Sequence, residues 1–312
     1  MPTRATHIKR IAFLAEVRNR ALAPLDASPV KFDKVLYVND VYFDPIEAAQ
    51  LLLSTNVDAN GRASYNAACA VDFINPFKFY DRFATRDLEG YGTGVPFFPW
   101  FTSAGDAMTR KDVLAGTDAV RVRSCWGGMT AYEAKWFQNQ TSSNSDVAPL
   151  RFRYDESTFW ESSECCLINA DLQFRSSGVA LPADSGIYMN PFIRVAYDTK
   201  TLSWLSLSRR HERLYTLFHE MLNHVAGFPT PNARRLEKPG DKVTDTVWEY
   251  DDFNKGLLSD AKNEDFKGHY AQVPRVANVG GFCGGAQLLV INENPGPDEG
   301  RWGKIFAPHP PA

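Results

Sequence analysis

The stretch Lys34–Phe43 (KVLYVNDVYF) constrains the fold most, because an apolar run stops abruptly there at two polar residues. Its first half is rich in β-favouring residues and predicts a buried strand, whose carboxyl end brings Asn39 and Asp40 to a crevice. Ligands of open α/β sheets bind at this end of the strands, and a carboxylate there suits a divalent cation that holds a phosphate. The alternative is that Asn39 and Asp40 only turn the chain.

Helical patterns precede and follow this strand. Residues 8–25 carry apolar side chains at three- or four-residue spacing, which predicts an amphipathic helix that ends before Pro24 or soon after it. Residues 44–47 (DPIE) predict the N-cap, first position and acidic first turn of a second helix. Arg18 in the first helix belongs either to a solvated face or ion pair, or to a site aimed at an anionic ligand.

Two further strands are predicted, and candidate site residues follow each of them, as they follow the first strand. Residues 66–71 predict a small-residue apolar strand that ends at Asp72, a second strand that ends in a carboxylate. Residues 119–125 alternate as a half-buried strand and run into Trp126, Gly127 and Gly128. Paired glycines after a strand either let the backbone approach a ligand or satisfy a tight turn.

Residues 74–108 combine many aromatic side chains with glycine, proline and charges, including Asp81, Arg86 and Asp87, but show no clear periodicity. A long loop in a compact domain is usually functional or disordered, and the aromatic content argues against disorder. The pattern therefore predicts a shaped functional loop. The alternative is that its rings only fill a core below it.

Two carboxylates, Glu161 and Glu164, directly precede an apolar segment. Their three-residue offset predicts that both lie on one face of a helix, where such a pair can serve acid/base or metal chemistry. The alternative is the ordinary preference of a helix's first turn for glutamate.

His219 and Glu220 invite comparison with the zinc-protease motif, which needs a second histidine four residues after the first. Position 223 is Asn, and His224 follows His219 by five residues, about 140° further around the helix. The spacing therefore argues against a zinc hydrolase.

The composition of the chain limits its expected binding partners and cell compartment. The 312 residues carry a net charge of -3 and no basic footprint, so nucleic acid is not an expected main partner. No apolar window reaches the length of a membrane span. The five cysteines form no CxxC pair; one or two disulfides are compatible with them, with at least one free thiol and an open connectivity. A glycosylation sequon at residues 139–141 favours a secretory lumen.

Several segments, taken in order, resemble one known family. The segments are IAFLAEVRNRALAPL (11–25), KVLYVNDVYF (34–43), ACAVDF (68–73), FYDRFATRD (79–87), SCWGG (124–128), PLRFR (149–153), SECCLINAD (163–171), NPFIRVAY (190–197) and GFCG (281–284). Their order and spacing resemble those of the fungal capsule-associated α-1,3-mannosyltransferases, glycosyltransferase family 69. The ordered set covers most of the chain, although no single segment is decisive.

The resemblance implies an α/β fold of the GT-A type, with a single Rossmann-type mixed sheet flanked by helices. It implies one catalytic domain over residues 1–312, and the proline-rich composition of residues 305–312 predicts a frayed tail. It also implies a GDP-mannose donor, a mannose-containing acceptor, Mn²⁺ as the divalent cation, retention of configuration, and location in the Golgi or another secretory lumen. Relatives carry an anchor, a stem and the first nucleotide-binding βα units before the Arg18 helix, and these are expected to be missing here.

Roles for individual residues also follow from the resemblance. Asp40 takes the place of the metal-binding DxD motif, but Asn39-Asp40-Val41 offers one carboxylate where two are common, so a late histidine (His211, His219 or His224) could complete the site. The cation and Arg18 would stabilise the charge that develops on the leaving diphosphate. Glu164, with Glu161 beside it, would orient or polarise the acceptor rather than attack.

The remaining assignments concern the sugars. Trp126, Gly127 and Gly128 would close on a sugar, and Arg18 and Asn39 are also expected to bind the donor or the acceptor. The acceptor side would be lined by Asp72, Asp81, Arg86 and Asp87, and Asp72 is counted with Glu161 and Glu164 as a candidate catalytic carboxylate. The alternative to an enzyme is a non-catalytic relative or fragment that keeps the sheet but no longer holds GDP-mannose, and acts as a binding or complex subunit.

Overall fold

The fold is described by a computed structural model over residues 9–138, 148–178, 183–251, 268–291, 296, 300 and 302–305. The sequon at residues 139–141 and all but the first residue of the predicted frayed tail lie outside these ranges. Six α-helices are found in the described residues: α1 Arg10–Ala27, α2 Pro45–Ser54, α3 Met108–Ala115, α4 Glu164–Ser177, α5 Thr199–His211 and α6 Thr216–Ala226. None of these helices combines the length and apolarity required to cross a bilayer.

Most strands of the described residues belong to one mixed sheet. The strands are β1 Lys34–Val38, β2 Ala67–Asn75, β3 Lys78–Phe79, β4 Arg86–Asp87, β5 Val120–Ser124, β6 Met129–Glu133, β7 Glu161–Ser162, β8 Ile187–Ala196, β9 Lys242–Tyr250, β10 Gly268–Val276, β11 Gly284–Gly285, β12 Leu288–Ile291 and β13 Trp302–Ile305. The large sheet has the order β1-β6-β2-β8-β5-β4, with β3 paired to β2. The pairs β9–β10, β7–β11 and β12–β13 are separate.

Strand directions bring several chain ends to one edge of the sheet. Strand β6 is antiparallel to both β1 and β2, so β1 and β2 run the same way, and β8 is parallel to β2. The carboxyl ends of β1, β2 and β8 therefore lie at the same edge, together with the Gly127-Gly128 turn that opens β6. This is the edge at which the sequence placed a ligand crevice.

Helices cover both faces of the sheet. Residues 67–73 of β2 are buried without interruption, as expected for a strand covered on both sides. Ala67, Cys69 and Val71 face a core that includes residues of α1 and α4, whereas Ala68 and Ala70 face a second core with α2. The predicted α/β class, with a central mixed sheet flanked by helices, is confirmed, and its assignment to the GT-A type stays a prediction.

The expectation that β1 is a buried strand is wrong, because β1 is an edge strand of the sheet and is only half-buried. Leu36 packs against the α2 core and Tyr37 against the α1 core, so both faces of the strand need apolar residues. The sequence of β1 therefore resembles that of a buried strand, even though no strand of the described residues pairs with its outer edge.

Other element ends differ from the sequence expectation by a few residues. Helix α1 continues through Pro24 to Ala27, the later of the two expected ends. Asp44 caps α2 as predicted, since its side chain accepts a hydrogen bond from the backbone N–H of Ile46 at 2.7 Å. Strand β2 does not end at Asp72 but continues to Asn75.

Candidate functional site

Arg18 is the centre of a cluster that joins three elements. Its Nε donates to Glu164 Oε1 at 2.9 Å, and its Nη1 donates to Asn39 Oδ1 at 3.1 Å. Its guanidinium also lies over the Trp126 ring, 4.4 Å from the centroid. We call Arg18, Asn39, Trp126 and Glu164 the Arg18 cluster. Four residues nominated from separate parts of the sequence therefore meet in one place.

Local structure explains how each member is held. The hydroxyl of Tyr37 donates to the Arg18 carbonyl at 2.5 Å, and the Asn39 backbone N–H donates to the Gly128 carbonyl at 2.9 Å. Glu164 is buried in the first turn of α4, where a negative side chain is favoured by the helix dipole. The helix therefore fixes the acidic partner of Arg18.

Two aromatic residues beside the cluster, Tyr37 and Phe152, were not predicted as site residues from the sequence. The Tyr37 ring packs against both Trp126 and Phe152, with centroids 5.5 and 5.3 Å away. The Asn19 side-chain amide holds Phe152 through two hydrogen bonds to the Phe152 backbone, both 2.8 Å long. The only sequence signal for Phe152 was its place in the PLRFR segment.

Asp40 follows Asn39 directly and is exposed to solvent. Within the described part of the chain, no group of three or more His, Cys, Asp or Glu side chains is arranged to hold a metal ion. Protein side chains near Asp40 therefore fit a divalent cation only if a ligand supplies further oxygen atoms, as phosphates often do.

Cys165 is the free thiol of the five cysteines, and it lies behind the cluster. Its Sγ donates to Glu164 Oε1 at 3.4 Å. Burial, together with the Glu164 carboxylate, raises the pKa of the thiol well above its usual value. Cys165 is thus a neutral hydrogen-bond donor near neutral pH rather than a nucleophile.

Asp72 and Asp81 form a carboxyl pair beneath the same edge of the sheet. Asp72 is fully buried, and it accepts hydrogen bonds from the Tyr197 hydroxyl at 2.8 Å and the Asp81 backbone N–H at 2.9 Å. Burial, and then the nearby Asp81 charge, raises the pKa of Asp72 to about 7. Asp81 in turn accepts from the Gly127 backbone N–H at 3.2 Å. The pair is therefore attached to the glycine turn.

The glycine turn is required by packing inside the sheet. Gly127 and Gly128 have φ angles of 57° and 68°, which side chains rarely adopt. A Cβ on Gly127 would lie 1.9 Å from the Ala70 carbonyl oxygen, and one on Gly128 would lie 2.8 Å from Val41 Cγ1. Of the two interpretations of the paired glycines, the tight turn is the one this geometry supports.

Glu161 and Glu164 do not share a helical face, because Glu161 lies in β7 and α4 begins at Glu164. Glu161 is buried, and burial raises the pKa of its carboxyl to about 7, against the opposing effect of Lys9. Lys9 precedes α1 and lies nine residues before Arg18, a distance of about 13 Å along a helix. Glu161 therefore interacts with the Lys9 end of α1, whereas Glu164 interacts with Arg18.

Arg86 and Asp87 lie in β4 and are not members of the Arg18 cluster. The buried Arg86 guanidinium donates to the carbonyls of Phe282 at 2.9 Å and Cys283 at 3.0 Å, among others. The Asp87 carboxyl accepts from the Tyr91 backbone N–H at 2.7 Å, and burial raises its pKa to about 7. Both side chains hold the loop 74–108 in shape.

The histidine interpretation of α6 is not supported by the geometry. His219 is fully buried, and its Nδ1 lies 2.9 Å from Arg110 Nη1 and 3.0 Å from Asn223 Nδ2. Burial, and then the Arg110 charge, lowers the pKa of His219 to about 4. His224 is exposed. His219 is thus a neutral core residue. The Arg110 guanidinium lies beside its Nδ1, in the position that a metal ion would need if this nitrogen were a zinc ligand.

Two clefts flank these residues. The first, about 670 Å³, lies between α1, residues 152–157 and residues 275–279. The second, about 610 Å³, lies between residues 82–93, 229–235 and 284–287. Asn19 and Phe152 place the first cleft next to the Arg18 cluster, and Arg86 lines the second.

The fold and the Arg18 cluster define a mixed α/β protein with a charged, aromatic-walled site at the carboxyl edge of its sheet. The profile of the family described as Cryptococcal mannosyltransferase 1 matches residues 1–171, more than half of the chain. The chain belongs to this mannosyltransferase family, as its segments predicted. No curated protein and no solved structure matches the chain.

Proposed function

We propose that this protein transfers mannose from GDP-mannose to a mannose-containing acceptor, with an α-1,3 linkage and retained configuration. The observation that carries the proposal is the place of the family match. Residues 1–171 contain the whole Arg18 cluster and Asp40, so the part of the chain that defines the family also builds the site.

In this proposal the residues of the cluster position charge. Arg18 contributes a fixed positive charge near the end of β1, where the departing diphosphate gains negative charge. Glu164 holds that guanidinium in place and orients the acceptor hydroxyl. A divalent cation, proposed as Mn²⁺, would be held by Asp40 together with diphosphate oxygens and would neutralise the leaving group.

The decisive experiment is a transfer assay with radiolabelled GDP-mannose and an α-mannobiose acceptor, followed by linkage analysis of the product. We expect transfer by the wild-type protein, its loss in Asp40→Ala, and at least a hundredfold slower transfer by Glu164→Gln. Chelation by EDTA should stop the reaction, and Mn²⁺ should restore it. Asp106→Ala is the matched control, because Asp106 is exposed and lies outside the site.

Calorimetry with GDP and Mn²⁺ separates this proposal from the non-catalytic alternative. A well-folded wild-type sample that binds neither GDP nor GDP-mannose would favour a binding or complex subunit. Full transfer by Asp40→Ala would mean that the cation is not held at this residue.

We also propose that the protein works in the Golgi or another secretory lumen. Two disulfides, Cys69–Cys125 and Cys166–Cys283, support this location, because such bonds persist in oxidising compartments. A fluorescently tagged chain should co-localise with a Golgi marker, and a cytosolic signal would contradict the proposal.

A further inference from the structure

The second cleft has an unusual lining for a soluble protein. Among the described residues that line it, three are arginines, Arg82, Arg86 and Arg235, and none is Asp or Glu. The remaining lining is neutral and includes the Tyr91 ring and the backbone of a glycine-rich segment at 284–285. The cleft is therefore a concave surface with positive charge only.

Other arginines of the described residues show the contrast. Arg110, Arg121, Arg153, Arg194, Arg234 and Arg275 each pair with a carboxylate. The cleft arginines bind neutral groups instead. Arg82 Nε donates to Thr93 Oγ1 at 3.3 Å, and Arg235 donates to the Glu89 carbonyl at 3.0 Å and the Tyr91 hydroxyl at 3.1 Å.

A fourth arginine adds to the same charge. Arg123 lies behind the cleft, stacked on the Phe282 ring at 3.8 Å, and Gly90 separates it from Arg235. Burial lowers the pKa of Arg86 and of Arg123 to about 10, so both stay charged at neutral pH. Two neighbouring carboxyls, Asp81 and Asp87, oppose the Arg86 charge; burial raises the pKa of both, that of Asp87 to about 7, so they neutralise this charge only in part.

Packing several cations together with too few carboxylates to balance them is unfavourable, and a bound anion relieves it. Guanidinium groups bind phosphate and carboxylate oxygens through paired N–H donors, and stacking on the Tyr91 ring, 3.8 Å from its centroid, holds the Arg235 guanidinium in a fixed orientation. A volume of about 610 Å³ is in the range of small-ligand sites.

We propose that this cleft is a binding site for the oxyanion group of a small ligand, held between Arg82 and Arg235. The group is a phosphate, as in a nucleotide sugar, or a carboxylate, as in an acidic sugar. The site is separate from the Arg18 cluster and does not depend on the proposed transfer reaction, since binding requires no chemistry at Glu164.

Titration calorimetry on the full chain tests the site with three probes: pyrophosphate, GDP and glucuronate. We expect at least one to bind, and its affinity to fall about tenfold or more in Arg82→Gln and in Arg235→Gln, because each variant removes a charged donor. Arg82→Lys should bind more tightly than Arg82→Gln, since it keeps the charge. Arg62→Gln, an exposed arginine outside the cleft, is the control and should bind as wild type.

The three probes also separate the sources of the anion. Binding of pyrophosphate and GDP assigns the site to a phosphate group, and binding of glucuronate alone assigns it to an acidic sugar. No binding by any probe, or binding that Arg82→Gln and Arg235→Gln leave unchanged while both variants keep the wild-type near-ultraviolet circular dichroism, would overturn the site. Absent transfer with intact probe binding would contradict the proposed function alone.

Discussion

The ion pair between Arg18 and Glu164 shows how a single contact can organise a site. Both side chains are largely buried, with 14% and 3% exposed, and both lie against aromatic rings or helix backbone. A buried pair is strongly destabilised when one partner is removed, because the other is left as an unpaired charge. The first effect of the Arg18–Glu164 ion pair is therefore to fix the geometry of α1, β1 and α4 at the edge of the sheet.

A double-mutant cycle measures this contact. Arg18→Met and Glu164→Gln should each lower the free energy of unfolding by about 3 kcal/mol, with a favourable coupling of about 1–3 kcal/mol between them. The exposed pair Arg20–Glu16 on the same helix is the control, and its coupling should stay below about 0.5 kcal/mol. Equal couplings for the two pairs in urea titrations would contradict a special role for the buried pair.

Asp72 should make stability depend on pH. Its folded pKa of about 7 lies above the ordinary 3.8, so the folded state keeps a proton that the unfolded state releases. Between pH 4 and pH 7 the unfolded state binds fewer protons, and stability falls as pH rises through this window. The effect of the lowered His219 pKa has the opposite sign but is the same in wild type and in an Asp72 variant, so it cancels between them.

We therefore expect Asp72→Asn to gain stability relative to wild type between pH 5 and pH 8, by on the order of a few kcal/mol. Asparagine can still accept the Tyr197 hydrogen bond, so the packing around it is kept. Urea unfolding at both pH values measures the change. Asp106→Asn serves as the control, and an equal pH trend in both variants would rule out Asp72 as the source.

At the residue scale, sequence patterns could indicate which residues are candidates for a site, but not which of these residues contact each other. Arg18, Asn39, Trp126 and Glu164 were each nominated, but no spacing rule joins residues more than a hundred positions apart. Arg235 was not nominated at all, because it lies in a charged irregular stretch without periodicity. Such residues are brought together only by tertiary packing.

At the scale of elements, periodicity predicted helices and strands better than it predicted what they face. Helix α6 was expected, but it buries His219 and Asn223, while Leu217 and Val225 are 84% and 79% exposed. Strand β1 was expected as a buried strand, but it is a half-buried strand at the edge of the sheet. Glu161 was assigned to a helix because two glutamates three residues apart fit a helical face, whereas a short strand ends between them.

The turn between β5 and β6 is the element whose sequence is most restricted. Gly127→Ala should lower the free energy of unfolding by at least about 3 kcal/mol, because its Cβ would meet the Ala70 carbonyl oxygen at 1.9 Å in a left-handed conformation. Gly61→Ala is the matched control, since Gly61 also has a positive φ but no atom within 4 Å of an added Cβ. Its loss should be about 1 kcal/mol. Similar losses in thermal unfolding would contradict the packing role of Gly127.

At the scale of the whole molecule, two disulfides join distant parts of the chain to the sheet. Cys69–Cys125 connects β2 to the end of β5, and Cys166–Cys283 connects α4 to the segment that continues into the lining of the second cleft. The sequence allowed one or two disulfides but not their pairing, because five cysteines permit many connectivities. The cross-links hold the Arg18 cluster and the second cleft in one body.

Thiol counting and unfolding test this arrangement together. Unreduced protein should react with one equivalent of iodoacetamide in denaturant and with almost none when folded, because Cys165 is the free thiol and is buried. The double variant Cys69→Ala, Cys125→Ala should lose about 4 kcal/mol of unfolding free energy, since a cross-link with a sequence separation of 56 restricts the unfolded chain. Cys165→Ala, the control, should lose about 1 kcal/mol. Three reactive thiols in the unreduced denatured protein would mean that one of the two disulfides is absent. Packing would then have to keep the Arg18 cluster and the second cleft in place without that cross-link.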